Sequence, residues 1–324
     1  MRATFPAFLS LACAILCRGQ TPSVGYYEAV PRPAHYANGH LFNWSERQIT
    51  FYRPDTQPPY SIRQQGERAF TLSWAVDSDG EAARVYTEAV RANEVYSLPE
   101  GRIDLFDPTG KLALTIKTGS YWPQGVSFAP DHSIWTLGYN REAINAVRDG
   151  KENTFDVLHH YARTGEELGQ MLPGAQIATE DNSGGLVRSV IGGRRLFAAG
   201  DRLGFVADPH TWIEVSFAGV LLGKHDLGSF PELAYYPMAM TLGGRTYASI
   251  YKEGEFDGWA TLDCSTHSWR KVTGYPKGWL IGSDGDNVVF SKEVGAWTVL
   301  QSVPSGSLGL EAVQKQAAAA ISDR

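Results

Sequence analysis

The chain has 324 residues, 29 basic against 35 acidic side chains, a net charge of −6 and 43% hydrophobic residues. No Lys/Arg cluster exceeds short pieces such as Arg194-Arg195, which argues against nucleic acid as the natural partner. With three cysteines, two of them within the first 19 residues, neither a disulfide framework nor a multi-cysteine zinc site fits.

Residues 1–19 separate from the rest. Met1-Arg2 supplies a minimal positive start, Ala3 to Cys17 is a mostly apolar run of 15, and Cys17 and Gly19 are the small residues before a cut at Gln20. This reads as an export signal, too short to cross a bilayer that needs about 20 apolar residues. No lipoprotein pattern precedes Cys13 or Cys17, and no later segment looks membrane-spanning. The location expected is periplasmic or secreted. The remaining body, 20–305, reads as one domain, and 306–324, with its Ala317–Ala320 run, as a helix-prone or disordered tail.

From Val24 to Arg47 the text is aromatic and irregular, and Gln48 to Ile62 has a strand-turn-strand form. Ala69–Val76 and Ala83–Thr87 flank Asp77-Ser78-Asp79-Gly80-Glu81 as a hairpin. Ile103 and Leu105, then Leu112, Leu114 and Ile116, alternate around Asp107-Pro108-Thr109-Gly110 with the period of two expected of strands. A second pair, Val126–Phe128 and Ile134–Leu137, surrounds Ala129–Ser133.

The bends recur. Gln57, Gly110, Gly165, Gly219 and Thr266 follow one another at 53, 55, 54 and 47 residues. A spacing near 50 residues with four short strands per period is the signature of a propeller blade, and six such units account for the body. The fold expected is all-β: a β-propeller of antiparallel strands with six blades as the first choice, five or seven staying open because the first and last units are the least regular, closed by pairing of the terminal segments.

The run from Ile103 to Lys111, I-x-L-F-D-x-x-G-K, followed by W-P-x-G-V-x-F-A-P-D-x-S-I-W from Trp122 to Trp135, resembles the six-bladed propellers of the NHL, gluconolactonase and TolB type. The resemblance covers roughly Gln48 to Val303. It implies a ligand face where the loops entering each innermost strand gather around the channel. That group spans lactonases, lyases, receptors and scaffolds, so the fold selects no activity.

Aromatic-proline elements sit where inter-blade loops are expected: Tyr121-Trp122-Pro123, Tyr235-Tyr236-Pro237, and Tyr275-Pro276 with Trp279. Such rings either wedge between blades or stack a sugar or apolar ligand. Glu180-Asp181-Asn182 is the polar candidate for the channel mouth. Asp77–Glu81 and Ser283–Asn287 alternate carboxylates like a calcium loop but lack its distant bidentate Glu, so a hairpin bend is the better reading.

A lactonase-like reaction would imply a divalent cation in the channel held by Glu, Asn and Asp. Glu28, Asn140 and Asp181 have that chemistry without a matching motif. His159-His160 would face opposite sides of a strand. Cys264 reads as an inert, half-buried thiol. No hydrolase elbow, Walker loop, zinc helix or dinucleotide fingerprint occurs, and no cofactor is evident. The expectation is therefore a monomeric module that binds a small molecule, glycan or protein, with a metal-assisted hydrolase or lyase of sugar-derived substrates as the rival.

Overall fold

The structure is a computed structural model that describes residues 23–28, 30–54, 58–63, 69–88, 91–92, 95–96, 100–140, 155–177, 195–207, 211–226, 233–252, 255–263 and 268–312. The expected signal segment, Glu180-Asp181-Asn182 and Cys264 lie outside these residues. The chain is nearly all-β and builds several four-stranded antiparallel sheets, an architecture consistent with a β-propeller.

Strand β1 (Ser23–Glu28) comes first, followed by β2 (His35–Ala37), β3 (His40–Ser45), β4 (Gln48–Tyr52) and β5 (Tyr60–Arg63). The next sheet is β6 (Ala69–Val76), β7 (Ala82–Glu88), β10 (Glu100–Phe106) and β11 (Leu112–Lys117), with the two-residue pair β8 (Arg91–Ala92) and β9 (Val95–Tyr96) between. A third sheet joins β12 (Tyr121–Phe128), β13 (Ile134–Asn140), β14 (Asp156–Tyr161) and β15 (Glu167–Pro173), and a fourth β16 (Leu196–Ala199), β17 (Arg202–Ala207), β18 (Thr211–Ser216) and β19 (Leu221–Asp226). Then come β20 (Leu233–Met240), β21 (Thr246–Lys252), β22 (Glu255–Asp263) and β23 (Ser268–Thr273), and last β24 (Trp279–Asp284), β25 (Asn287–Val294) and β26 (Trp297–Pro304).

Two pairings join the beginning of the chain to its end. β1 runs antiparallel to β26, from Ser23 opposite Ser302 to Glu28 opposite Trp297. β2 touches β24 through a parallel bridge between Tyr36 and Gly282. A further strand lies within the segment expected as a tail. β27 (Gly309–Ala312) pairs antiparallel with β23 and adds a fifth strand there, because Leu308 and Leu310 find an apolar core.

The cores lie between consecutive sheets. Phe42, Ile49, Phe51 and Ile62 meet Trp74, Val76 and Phe106, and Ile103 and Val85 in turn meet Val126, Phe128 and Tyr161. Similar clusters join each later neighbour, ending where Ile281, Val289 and Leu300 meet Ala34 and Leu41 of the first sheet. Trp135, Trp212 and Trp259 are each at most 1% exposed. Burying one such ring of about 200 Å² contributes at most roughly 5 kcal/mol.

The repeating bends share one geometry. Asp107–Lys111, Ala162–Glu166 and Ser216–Val220 each close with the first residue's N–H donating to the fifth residue's carbonyl and the glycine N–H donating to the first carbonyl. Gly110, Gly165 and Gly219 stand at φ +84°, +88° and +79°, the left-handed position of a type I turn with a glycine bulge. Each glycine also abuts the outer strand of the preceding sheet, at Ile62, at Leu114 and Ile116, and at Met171. A bend recurring every 50-odd residues is thus also an inter-sheet contact.

Candidate functional site

The first strands of successive sheets adjoin one another. β6 lies against β3 and β12, β12 against β16, β16 against β20, and β20 against β24, which bridges to β2. Between them is a cavity of about 150 Å³. Its wall takes residues from each: His35 and Tyr36 of β2, Ser73 and Trp74 of β6, Val126 and Ser127 of β12, Leu196 and Phe197 of β16, Ala239 and Met240 of β20, and Gly282 and Ser283 of β24. Trp44 and Arg195 complete its chemistry.

The lining positions fall toward the carboxyl ends of β6, β12, β20 and β24. The cavity therefore lies toward the tight turns that leave these strands. The loops that enter them are at the other end.

Those turns are tied to one another. Asn38 Nδ2 donates to the Val76 carbonyl at 2.8 Å, Ser283 Oγ to the Met240 carbonyl at 2.7 Å, and the Leu242 N–H to the Gly285 carbonyl at 3.0 Å. Asp77 reaches across to His132 Nδ1 at 2.7 Å.

Among the described residues the wall holds the Arg195 guanidinium and no carboxylate. His35 stacks on Trp44 with ring centroids 6.4 Å apart, and both line the cavity. Burial, aided by the charge of Arg195, pulls its pKa from 6.5 down to about 3, so the imidazole is neutral and offers one donor and one acceptor. Tyr36 is pushed up to about 12, first by burial and then by Asp284, and stays a phenol. Among the described residues the wall holds no acid–base pair of carboxylates.

Four of the aromatic-proline residues have other surroundings. Tyr121, 2% exposed, stacks on His159 at 3.6 Å and donates its hydroxyl to the Val157 carbonyl at 3.0 Å. Trp122 packs on Tyr139, and Tyr275 stacks on Phe290 at 5.8 Å. Trp279 is 37% exposed at the start of β24, with Phe256 at 4.9 Å and the Arg32 guanidinium 5.5 Å from its ring. Tyr235 and Tyr236 belong to β20. Tyr121, Trp122, Tyr275 and Trp279 are not among the described residues of the cavity wall. Pro123 and Pro237 fall at register shifts inside β12 and β20, where a bulge accommodates the missing N–H. The elements expected as loops are therefore strand segments, Tyr275-Pro276 excepted.

Asp77, Asp79 and His132 bring three potential metal ligands within 4.8 Å of one another. Arg163 lies 3.9 Å from Asp77 and 3.7 Å from Asp79 and pairs with Glu81, so a guanidinium already supplies the positive charge. The Asp77–Glu81 segment is a hairpin bend with Gly80 at φ +83°. His159 and His160 do face opposite ways, the first against Tyr121 and the second against Trp135. Glu28 ends β1 and Asn140 ends β13, and neither lines the cavity.

No protein-family model and no curated protein matches the chain. Solved structures with a similar trace include a Bacteroides caccae protein of unknown function, 11% identical, covering 84% of each chain with a TM-score of 0.47. A putative exported protein of Bacteroides fragilis is 9% identical over 91% of this chain and 96% of its own, with a TM-score of 0.45. YCF48 bound to D1 peptide is 11% identical over 88% and 85%, with a TM-score of 0.44.

Proposed function

We propose that the chain is an exported, monomeric, six-bladed propeller that binds a ligand in its central channel. Six four-stranded units support the blade number, counting β1 with β24–β26 as one unit and β2–β5 as another. The pairing of β1 with β26 supports closure by the two termini. The character of residues 1–19 supports export.

The observation that carries the binding reading is the cavity wall. Side chains converge from seven strands, rings and hydroxyls among them, Arg195 joins them from just before β16, and the described lining holds no carboxylate. A metal-assisted lactonase or lyase needs anionic oxygen ligands at that place, so binding is preferred to hydrolysis.

The test is a titration of purified protein with small acids, sugars and peptides, followed by tryptophan fluorescence, beside a lactone-hydrolysis assay with added Ca²⁺ and Mn²⁺. Saturable binding without turnover is expected. Lactone turnover that requires a divalent ion would replace this reading with the hydrolase.

A further inference from the structure

We propose that the cavity takes an uncharged, planar ring that carries an N–H donor beside a carbonyl acceptor, the chemistry of a pyridone or a pyrimidine base. This rests on the binding reading above and names the ligand class.

Three observations lead there. First, unspent polar groups: His35, Ser73 and Ser127 line the cavity, and among the described residues neither ring nitrogen of His35 and neither serine hydroxyl has a hydrogen-bond partner. Ser73 is 6% exposed and stands at the register shift inside β6, where a bulge re-aims a side chain. A polar atom buried so deeply takes its partner from whatever fills the space beside it. Second, complementarity: His35 is an uncharged imidazole, so one of its nitrogens accepts, and it is the only nitrogen acceptor among the described side chains of the wall. The two serines can donate. A ligand N–H answers the imidazole and a ligand carbonyl answers the hydroxyls. Arg195 already has a partner, and Ser283 gives its proton to the Met240 carbonyl, so neither is counted as open to a ligand. With no carboxylate in the described wall and a neutral His35, these groups recognise polarity without net charge. Third, shape: a cavity of about 150 Å³ matches those that admit one benzene-sized ring. Phe42 and Trp44 hold the His35 ring at centroid distances of 5.7 and 6.4 Å, which fixes the acceptor before a ligand arrives. Trp44, Trp74 and Phe197 supply flat faces for the ring itself.

The experiment titrates 2-pyridone and its N-methyl derivative, which keeps the carbonyl and loses the N–H, into the full chain by calorimetry, with benzoate as the charged ring of similar size. The same titrations are run on His35→Phe, which keeps the stack, and on the double variant Ser73→Ala with Ser127→Ala, after circular dichroism has shown both folded. In the wild type 2-pyridone is expected to bind about tenfold or more tightly than the N-methyl compound, because a site that hydrogen-bonds a donor rejects the analogue lacking it. His35→Phe should abolish that preference. The double serine variant should instead weaken both pyridones alike and leave their ratio unchanged, since both keep the carbonyl. Equal affinity for the two pyridones in the wild type, a ratio that His35→Phe leaves intact, or benzoate binding more tightly than 2-pyridone overturns the assignment while the cavity remains a binding site. Absence of heat from 2-pyridone up to tens of millimolar overturns this inference alone, because the broader panel decides the binding reading separately.

Discussion

The carbonyl oxygen of Tyr36 occupies the space that a side chain on Gly282 would need. These two residues form the parallel bridge through which the first and last described sheets touch, at the cavity wall. Gly282→Ala forces the backbones apart and is expected to lower stability by about 1–3 kcal/mol. Gly306→Ala, where an added carbon meets nothing within 4 Å, is the control and is expected to be within about 0.5 kcal/mol of wild type. Urea unfolding followed by fluorescence reads both. Equal midpoints for the two variants would contradict the close approach.

Arg84 and Asp104 form a buried pair, 2% and 4% exposed, with Arg84 Nη2 donating to Asp104 Oδ2 at 2.5 Å. Tyr86 and Thr115 donate to the other carboxylate oxygen, and the guanidinium lies 4.2 Å over the Tyr86 ring. Asp104→Ala strands a buried cation and is expected to cost about 3–5 kcal/mol. Replacing both, as Arg84→Met with Asp104→Leu, should recover most of that loss, since the pair's attraction is largely offset by desolvation. A double variant as unstable as Asp104→Ala would mean the pair is worth far more than its burial costs.

His132 stands at φ +65° in the left-handed slot that Gly80 and Gly110 take in the equivalent bends. Its bond to Asp77 raises the imidazole pKa above 6.5. A raised folded value means the contact stabilises fully below the unfolded value near 6.5 and fades as pH climbs through the folded one. His132→Asn tolerates the same backbone without the charge. The melting-temperature gap between wild type and His132→Asn should therefore be wider at pH 5.5 than at pH 9. A gap that does not change with pH would show that the contact is not ionic.

His35 has the opposite sign. Its folded value lies near 3 against 6.5 unfolded, so between those limits the unfolded chain takes up a proton that the folded chain refuses. Stability attributable to His35 is intact above pH 6.5 and is lost as pH falls, by up to about 1.4 kcal/mol per pH unit and less where cavity water screens it. Relative to wild type, His35→Gln should grow more stable between pH 6.5 and 4. Parallel pH–stability curves for the two proteins would rule out the buried, neutral imidazole.

The hairpins around Asp107–Lys111 and Ala129–Ser133 were legible because period-two arms flank residues with turn chemistry, and each bend depends on only five neighbours in sequence. The cavity was not. Ser73, Ser127, Arg195 and Ser283 stand roughly 50 to 90 residues apart, and nothing local marks them as facing one another. Only the inter-sheet packing decides which half of each innermost strand converges. Tyr121-Trp122-Pro123 and Tyr235-Tyr236-Pro237 read as loops for a related reason: proline at a bulge and proline in a loop carry the same sequence signal, and the ladder distinguishes them. The short strand Gly309–Ala312 was hidden by the alanine-rich run that follows it.

The pairing of β1 with β26 also bears on synthesis. β1 is translated long before its mate, so its pairing edge waits until β26 has been made. Until then that edge of β1 is bare, and an interruption of the chain anywhere between the two strands leaves β1 with nothing to pair against.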